Sequence, residues 1–180
     1  GAPEENDDSY IVIGSDNRAG GASAAQRFVE QGRRRLVFLG DVDHAEVRER
    51  CAGFIDTIGE QGAVHIIRPR AFTFEAGFDS IVAALKKKNA AIDGVFAASD
   101  LLAMGAIRAL TEHHLRVPED VSVIGYDDTP AAATFVPPLT SVHQYLRDGG
   151  VLLARKMLSV VKGEATSSEK LPTALIVRAT

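Results

Sequence analysis

Short apolar runs alternate along the chain with longer stretches whose apolar residues recur at helical spacing. This alternation is typical of βα units built around a parallel sheet. Because the runs are mostly β-branched and too short for helices, we predict that they form buried strands. The predicted strands are residues 10–13, 36–39, 64–67, 94–97, 121–124, 140–143 and 174–177.

The stretches between the runs have apolar faces and predict the crossover helices. Gly32 follows the first of them, and Asp100 is positioned to cap another. The predicted helices are residues 16–31, 48–60, 75–88, 101–112 and 146–162. We therefore predict an α/β fold, a Rossmann-like parallel sheet with helices on both faces.

Two segments interrupt the alternation. Paired prolines prevent regular structure across residues 135–139, and residues 163–170 are a polar stretch. Between them, the helix predicted at residues 146–162 has an apolar stripe that needs a partner surface. The stripe consists of Val151, Leu152, Leu153, Met157, Leu158, Val160 and Val161.

Length and composition indicate one compact domain. The chain has 180 residues, and a domain usually takes roughly 100 to 200. Its one cysteine, Cys51, excludes an internal disulfide and fits a reducing compartment. The net charge of -4 has the wrong sign for neutralising phosphates, so this segment alone is not expected to bind nucleic acid well.

Targeting signals are lacking in the sequence. No apolar run approaches the roughly 20 residues that span a bilayer. Residues 1–9 are acidic and linker-like, whereas a signal peptide carries positive charge followed by an apolar stretch. Because the chain opens on this linker without an initiating Met, we expect it to be a fragment of a longer protein.

The glycine-rich residues 14–21 join the first predicted strand to the first helix. Their spacing fits neither the dinucleotide fingerprint nor the P-loop. Asp16 or Ser15 is expected to cap the helix, and a ligand contact at this strand end is the alternative.

The sequence offers little support for metal or nucleophilic chemistry. The five histidines lack the i, i+4 spacing that converges on a metal, so we predict no metal site. No G-x-S-x-G elbow is present, and Cys51 is expected to be packed inside a helix. Lys86, Lys87 and Lys88 end a helix, and we expect them to be solvated.

Polar and aromatic residues follow three of the predicted strands. Ligands bind at the carboxyl ends of the strands in open parallel sheets. Each residue is therefore either a cap or turn residue or a ligand contact, and Asp127 and Gln144 are the strongest candidates for contact. The set comprises Ser99, Asp100, Tyr126, Asp127, Asp128 and Gln144.

Several segments occur together in a fixed order. They are SDNRAGGASAAQRFVEQGRRRLVFLG, ERCAGF, AFTFEAGFDS, GVFAASDLLAMGAIRAL, LRVPEDVSVIGYDD, PPLTSVHQ and LPTALIVRAT. In this order the chain resembles the LacI/GalR transcription regulators, whose effector-binding core is similar to periplasmic sugar-binding proteins. The resemblance covers nearly the whole chain, and LRVPEDVSVIGYDD followed by PPLTSVHQ is highly specific to the regulators.

The resemblance implies two Rossmann-like lobes of the type I periplasmic-binding-protein kind, joined by three crossovers and preceded by a helix-turn-helix. On this basis residues 1–9 are a linker and residues 10–141 form the C-terminal lobe. Residues 142–170 would cross to the N-terminal lobe and supply its last helix, and residues 171–180 would return. The DNA-binding domain would be absent from this chain, so operator DNA would be bound only through the missing helix-turn-helix.

The resemblance also implies the effector contacts. Arg50 matches an arginine that forks onto hydroxyl or carboxylate groups, Asp127 matches an acceptor, and Phe72 matches an aromatic ring that stacks on sugar or purine. Gln144 would reach the ligand from the hinge. Ser99 stands where an Asn is commonest in the family, so the chain departs from the usual sugar-binding pattern there.

A homodimer surface is implied on the helix at residues 101–112 and on residues 128–135. The residues expected there are Leu101, Met104, Ile107, Arg108 and Phe135. No cofactor is implied.

The resemblance thus implies the effector-sensing and dimerisation part of a cytoplasmic bacterial regulator, with a small carbohydrate or nucleoside-like effector. A periplasmic sugar-binding protein of an ABC transporter is the alternative of similar fold. A doubly wound enzyme is a further alternative, because strand-end carboxylates also serve as acids and bases. Since the sequence has no nucleophile, metal cluster or phosphate loop, we predict that the chain is not an enzyme.

Overall fold

The computed structural model describes residues 10–87 and 91–180, so the predicted linker at residues 1–9 and Lys88 lie outside the described residues. The strands are β1 (Ile13–Ser15), β2 (Arg35–Leu39), β3 (Ala63–Ile67), β4 (Gly94–Ala97), β5 (Ser122–Asp127), β6 (Thr140–Gln144), β7 (Glu169–Leu171) and β8 (Thr173–Ile176). The α-helices are α1 (Asn17–Glu30), α2 (Ala45–Ile58), α3 (Phe74–Leu85), α4 (Asp100–Glu112), α5 (Pro130–Thr134) and α6 (Leu146–Val161), and a 3₁₀ turn covers Gly59–Gln61.

Six strands form the main sheet in the order β3, β2, β4, β5, β6, β8. The first five are parallel, and β8 runs antiparallel to β6. The predicted α/β fold with a parallel sheet is confirmed, and the antiparallel last strand is an addition to it. β1 and β7 pair with each other in a separate parallel sheet.

Each face of the main sheet carries its own apolar core. Leu36 and Phe38 of β2 join the core on the side of α1 and α2, whereas Val37 and Leu39 join the core on the side of α3 and α4. This alternation follows from the two-residue period of a strand, whose successive side chains point to opposite faces. Helices therefore cover both faces of the sheet, as predicted.

The prediction of buried strands is wrong for β3. This strand lies at the edge of the sheet and pairs only with β2, so most of its residues are exposed. Strands β5 and β6 extend further than predicted, because their polar last residues still pair with a neighbouring strand. Asp127 pairs with His143 of β6, and Gln144 pairs with Thr173 of β8. β7 lies in a segment where no regular element was predicted.

Two glycines let α1 and α2 cross with their backbones nearly in contact. A Cβ atom at Gly21 would lie 2.0 Å from the carbonyl oxygen of Arg50, and one at Gly53 would lie 2.0 Å from that of Arg18. No side chain larger than a hydrogen fits at either position. The crossing brings the first turn of α1 against the middle of α2.

Helix α6 lies apart from both cores. None of its residues is buried, and Leu158 and Val161 are 62% and 83% exposed. It lies against β1, and Lys156 forms an ion pair of 3.0 Å with Glu169 of β7. Most of the predicted apolar stripe is therefore left exposed by the described residues. None of the described helices is both long and apolar enough to cross a membrane.

Candidate functional site

The parallel strands end at one edge of the main sheet, and the strand order reverses between β2 and β4. The chain passes from β2 to the outer strand β3 and then crosses to β4 on the other side of β2. Open α/β sheets bind ligands outside the strand ends at such a reversal. The candidate site is therefore the edge formed by the ends of β2, β4, β5 and β6.

Arg50 spans this reversal from helix α2. It is 8% exposed, and its Nη1 donates to the carbonyl oxygen of Ala98, just after β4, at 2.7 Å. Its Nε donates to Oδ1 of Asn17 at 2.8 Å. The guanidinium carbon lies 3.6 Å from the ring centroid of Tyr126, a stacked cation–π arrangement.

Asn17 and Tyr126 complete this cluster. The Tyr126 hydroxyl donates to the same Asn17 Oδ1 at 3.1 Å, and burial raises the pKa of Tyr126 to about 12, so the hydroxyl keeps its proton at neutral pH. Asn17 was not among the predicted site residues. Its sequence signal is weak, because a polar residue after Asp16 is ordinary at a helix start.

Asp127 and Gln144 are in direct contact. Gln144 Nε2 at the end of β6 donates to Asp127 Oδ1 at 2.6 Å. Burial raises the pKa of Asp127 to about 6, opposed by the positive charge of Arg50, while the negative charge of Asp100 raises it further. Asp127 has a φ of 106°, which is unfavourable for a residue with a side chain and is typical of functional sites.

Ser99 caps helix α4, and Asp100 is buried in the fold. The Ser99 side chain caps α4 by accepting from the Leu102 N–H at 3.4 Å, so the prediction that Asp100 is the cap is wrong. Asp100 is instead buried and accepts from Ser141 Oγ at 2.6 Å and from the Thr129 N–H and hydroxyl at 2.7 and 2.9 Å. It holds the end of β5 against β6.

Asp128 is an ion-pair residue. It accepts from Arg178 Nη2 at 2.6 Å and lies 3.0 Å from His143 Nδ1. These contacts tie the end of β5 to β6 and to the segment after β8. They assign Asp128 to the packing of the strand ends.

Phe72 lies on the loop between β3 and α3, half-buried between the two cores. Its ring packs edge-on against His44 with centroids 5.4 Å apart. Its described contacts join it to none of Arg50, Asp127 or Gln144. Asp16 caps α1 by accepting from the Ala19 N–H at 2.9 Å, which confirms that alternative for the strand end.

The structure thus brings four of the five predicted contacts to one edge of the sheet. Gln144 bonds Asp127 directly, and Arg50 bonds the residue next to Ser99. Phe72 is carried by a separate loop. A cavity of about 620 Å³ along α3 contains none of the five residues.

The predicted dimer residues divide into two groups. Leu101 is 50% exposed, and Ile107, Arg108 and Phe135 line a groove of about 370 Å³ beside the 85% exposed Val136. Met104 is 5% exposed and packs in the core beneath α4, and Ile107, at 2%, also packs in that core. The interface remains a prediction, and Met104 and Ile107 offer little exposed surface to it.

Within the described ranges no group of three or more His, Cys, Asp or Glu is placed to hold a metal ion. Cys51 is buried in α2, and burial raises the pKa of its thiol, which disfavours the reactive thiolate.

The fold and its strand-end site define a domain of the periplasmic-binding-protein type. The family model of the periplasmic binding protein-like domain matches residues 25–180. The chain is 37% identical to the HTH-type transcriptional regulator CelR of Thermobifida fusca, over 99% of this chain and 53% of that protein. It is 30% identical to the ribose operon repressor of Halalkalibacterium halodurans, over 94% of this chain and 52% of that protein.

Solved structures agree. The CelR–cellobiose complex superposes with a TM-score of 0.87 at 33% identity, over 99% of this chain and 57% of that one. A dimeric Lac repressor superposes with a TM-score of 0.88 at 28% identity, over 97% of this chain and 66% of that one. A LacI family regulator from Enterococcus faecalis V583 with bound ribose superposes with a TM-score of 0.87 at 26% identity, over 98% of this chain and 65% of that one.

The chain belongs to the family of periplasmic binding protein-like domains and is similar to part of the LacI-type transcriptional regulators. The resemblance inferred from the sequence motifs is confirmed. The chain spans about half the length of the curated relatives it matches.

Proposed function

We propose that this chain is the effector-sensing and dimerisation part of a bacterial LacI-type regulator. It binds a small carbohydrate between two lobes, and the bound effector shifts the interlobe angle and thereby the spacing of two helix-turn-helix units on an operator. The helix-turn-helix lies in the rest of the longer protein. That protein binds the operator DNA and acts in the cytoplasm.

One observation carries this proposal. Arg50, Asp127 and Gln144 lie at the carboxyl edge of the sheet, where Arg50 supplies hydrogen-bond donors, Asp127 an acceptor and Gln144 an amide. Donor and acceptor pairs of this kind bind the hydroxyl groups of a sugar. Related regulators have been solved with cellobiose and with ribose, which supports a carbohydrate as effector.

The sheet pairing supports a division into two lobes. We propose that residues 142–170, which hold α6 and the first two residues of β7, belong to the N-terminal lobe, and that β8 returns the chain to the C-terminal lobe. We add β1 to the N-terminal lobe, because it pairs with β7 and not with the six-stranded sheet. The rest of that lobe would cover the apolar stripe of α6.

Regulation is favoured over transport and catalysis. The curated relatives are transcriptional regulators. Asp100 and Asp128, two of the three strand-end carboxylates, are occupied by hydrogen bonds and ion pairs within the fold. We infer that the domain binds its ligand without transforming it.

Calorimetric titration of the full-length protein with cellobiose and with D-ribose tests the proposal. At least one sugar is expected to bind, and Arg50→Ala and Asp127→Ala are each expected to cost about 1 to 3 kcal/mol of binding free energy. Arg34→Ala, an exposed residue just before β2 at the opposite end of the strands, is the control and should bind as the wild type does. Unchanged affinity in both site variants would place the site elsewhere.

A further inference from the structure

We propose that Asn17 and Tyr126 are positioning residues for Arg50, holding its guanidinium so that the Nη2 edge is presented to the effector. The inference rests on the proposed effector site and extends it to two residues that make no contact with the ligand themselves. It concerns the orientation of the Arg50 guanidinium relative to the effector.

Asn17 has a buried side chain that helix capping does not require. It is the first residue of α1, where Asp16 already supplies the cap, and it is 5% exposed. Its Nδ2 donates to the Ser15 carbonyl at 3.2 Å, which orients the amide so that Oδ1 faces Arg50 and Tyr126. Burying a polar side chain is costly unless its bonds are satisfied, and here each bond serves the same cluster.

Arg50 is held on three sides by neutral groups. Asn17 Oδ1 holds Nε, the Ala98 carbonyl holds Nη1, and the Tyr126 ring supports the flat face. Among the described residues no Asp or Glu forms an ion pair with Arg50, and the bonds to Asn17 and Ala98 use Nε and Nη1. The planar guanidinium is therefore fixed in orientation, and Nη2 is the nitrogen that neither Asn17 nor Ala98 holds.

Gly20 shows that the Tyr126 hydroxyl must approach α1 closely. A Cβ atom at Gly20 would lie 2.6 Å from that hydroxyl oxygen, so a larger residue would push the ring away from Asn17. The ring would then no longer lie under the guanidinium. Helix α1 thus contributes both the acceptor and the space that the tyrosine needs.

Proton exchange of the Arg50 Nε–H, followed by NMR of the ¹⁵N-labelled chain, tests the positioning directly. Asn17→Ala removes the acceptor and is expected to speed exchange with water about tenfold or more. Asn17→Asp keeps an acceptor oxygen and is expected to preserve the protection. The Arg33 Nε–H, bonded to Ser122 Oγ at 3.1 Å, is the internal control for the fold.

Tyr126 is tested in the same way. Tyr126→Leu removes the aromatic ring and is expected to speed the exchange of the Arg50 Nε–H. Tyr126→Phe keeps the ring and should change this exchange rate less. If Arg50 exchanges at the wild-type rate in Asn17→Ala, the role of Asn17 is wrong; the same result in Tyr126→Leu would refute the role of Tyr126.

A double-variant cycle in the full-length protein separates positioning from general stability. Asn17→Ala is expected to weaken binding of cellobiose or D-ribose about tenfold alone, and to add nothing in the Arg50→Ala background. Additive losses would overturn the proposal. If Arg50→Ala leaves the binding of a bound sugar unchanged, or if neither sugar binds, the proposed site or effector class fails, while the exchange experiment still decides the positioning.

Discussion

At the scale of single residues, Asp127 combines an unfavourable backbone conformation with a perturbed carboxyl group. Its φ is 106°, and burial raises its pKa from 3.8 to about 6. The folded protein therefore holds a proton on Asp127 that the unfolded chain has already released between these two values. Stability contributed by the protonated carboxyl is lost as the pH rises through this window.

We predict that Asp127→Asn stabilises the chain above pH 6, by an amount on the order of 2 kcal/mol, and that the gain disappears below about pH 4. The asparagine has no charge to bury, so its stability does not fall across the window. Urea unfolding at a series of pH values measures the difference.

Asp79→Asn, on the exposed face of α3, is the matched control for that series, and it should track the wild type at every pH. If Asp127→Asn raises the free energy of unfolding equally at pH 4 and pH 7, the titration of Asp127 contributes nothing to stability and the prediction is wrong.

At the scale of elements, the crossing of α1 and α2 places the site. Gly21 and Gly53 bring the two backbones together, and this contact sets how far Arg50 lies from Asn17. A change at the crossing would therefore reach the guanidinium without touching it.

We predict that Gly21→Ala destabilises the chain by roughly 3 kcal/mol, because a Cβ at 2.0 Å from the Arg50 carbonyl oxygen forces the helices apart. Gly14→Ala in β1, where an added Cβ meets no atom within 4 Å, should change stability by less than about 0.5 kcal/mol. Chemical denaturation of both variants makes the comparison. If the two variants have equal free energies of unfolding, the backbones of α1 and α2 can move apart at no cost and the prediction is wrong.

At the scale of the whole molecule, α6 presents more apolar surface than a monomer ordinarily leaves uncovered. Leu158 and Val161 are 62% and 83% exposed, and Met157 is 61% exposed. Exposed apolar patches of this extent mark surfaces that associate.

We predict that the 180-residue chain self-associates through α6 at micromolar concentration. Light scattering should show a mass above 19.2 kDa, and the double variant Leu158→Lys with Val161→Lys should lower it. Gln61→Lys, on the exposed 3₁₀ turn, is the control and should leave the mass unchanged. A clean wild-type monomer at high micromolar concentration would contradict the prediction.

A second prediction at this scale concerns DNA. With a net charge of -4 the chain is expected to give no specific gel shift with operator-like DNA at micromolar protein. A salt-sensitive shift would show that this segment itself contacts phosphates, and the proposed lobe boundary would then be wrong.

The apolar pattern was sufficient to predict the helices and the central strands. Residues 36–39 are a continuous apolar run too short for a helix, and a strand buried on both faces of a parallel sheet is apolar at every position. The strand-end positions of Asp127 and Gln144 followed for the same reason, since the end of an apolar run is a local property. The motifs predicted the family.

The tertiary structure alone decided which of these residues meet. Asn17 lies 33 residues from Arg50 and 109 from Tyr126, and no local pattern states that one amide oxygen accepts from both. The exposure of β3 and the pairing of β1 with β7 depend likewise on the order of strands in the sheets. Periodicity is set by neighbours along the chain, whereas a hydrogen-bond partner is set by how whole elements pack, and the crossing of α1 with α2 is where that packing builds the site.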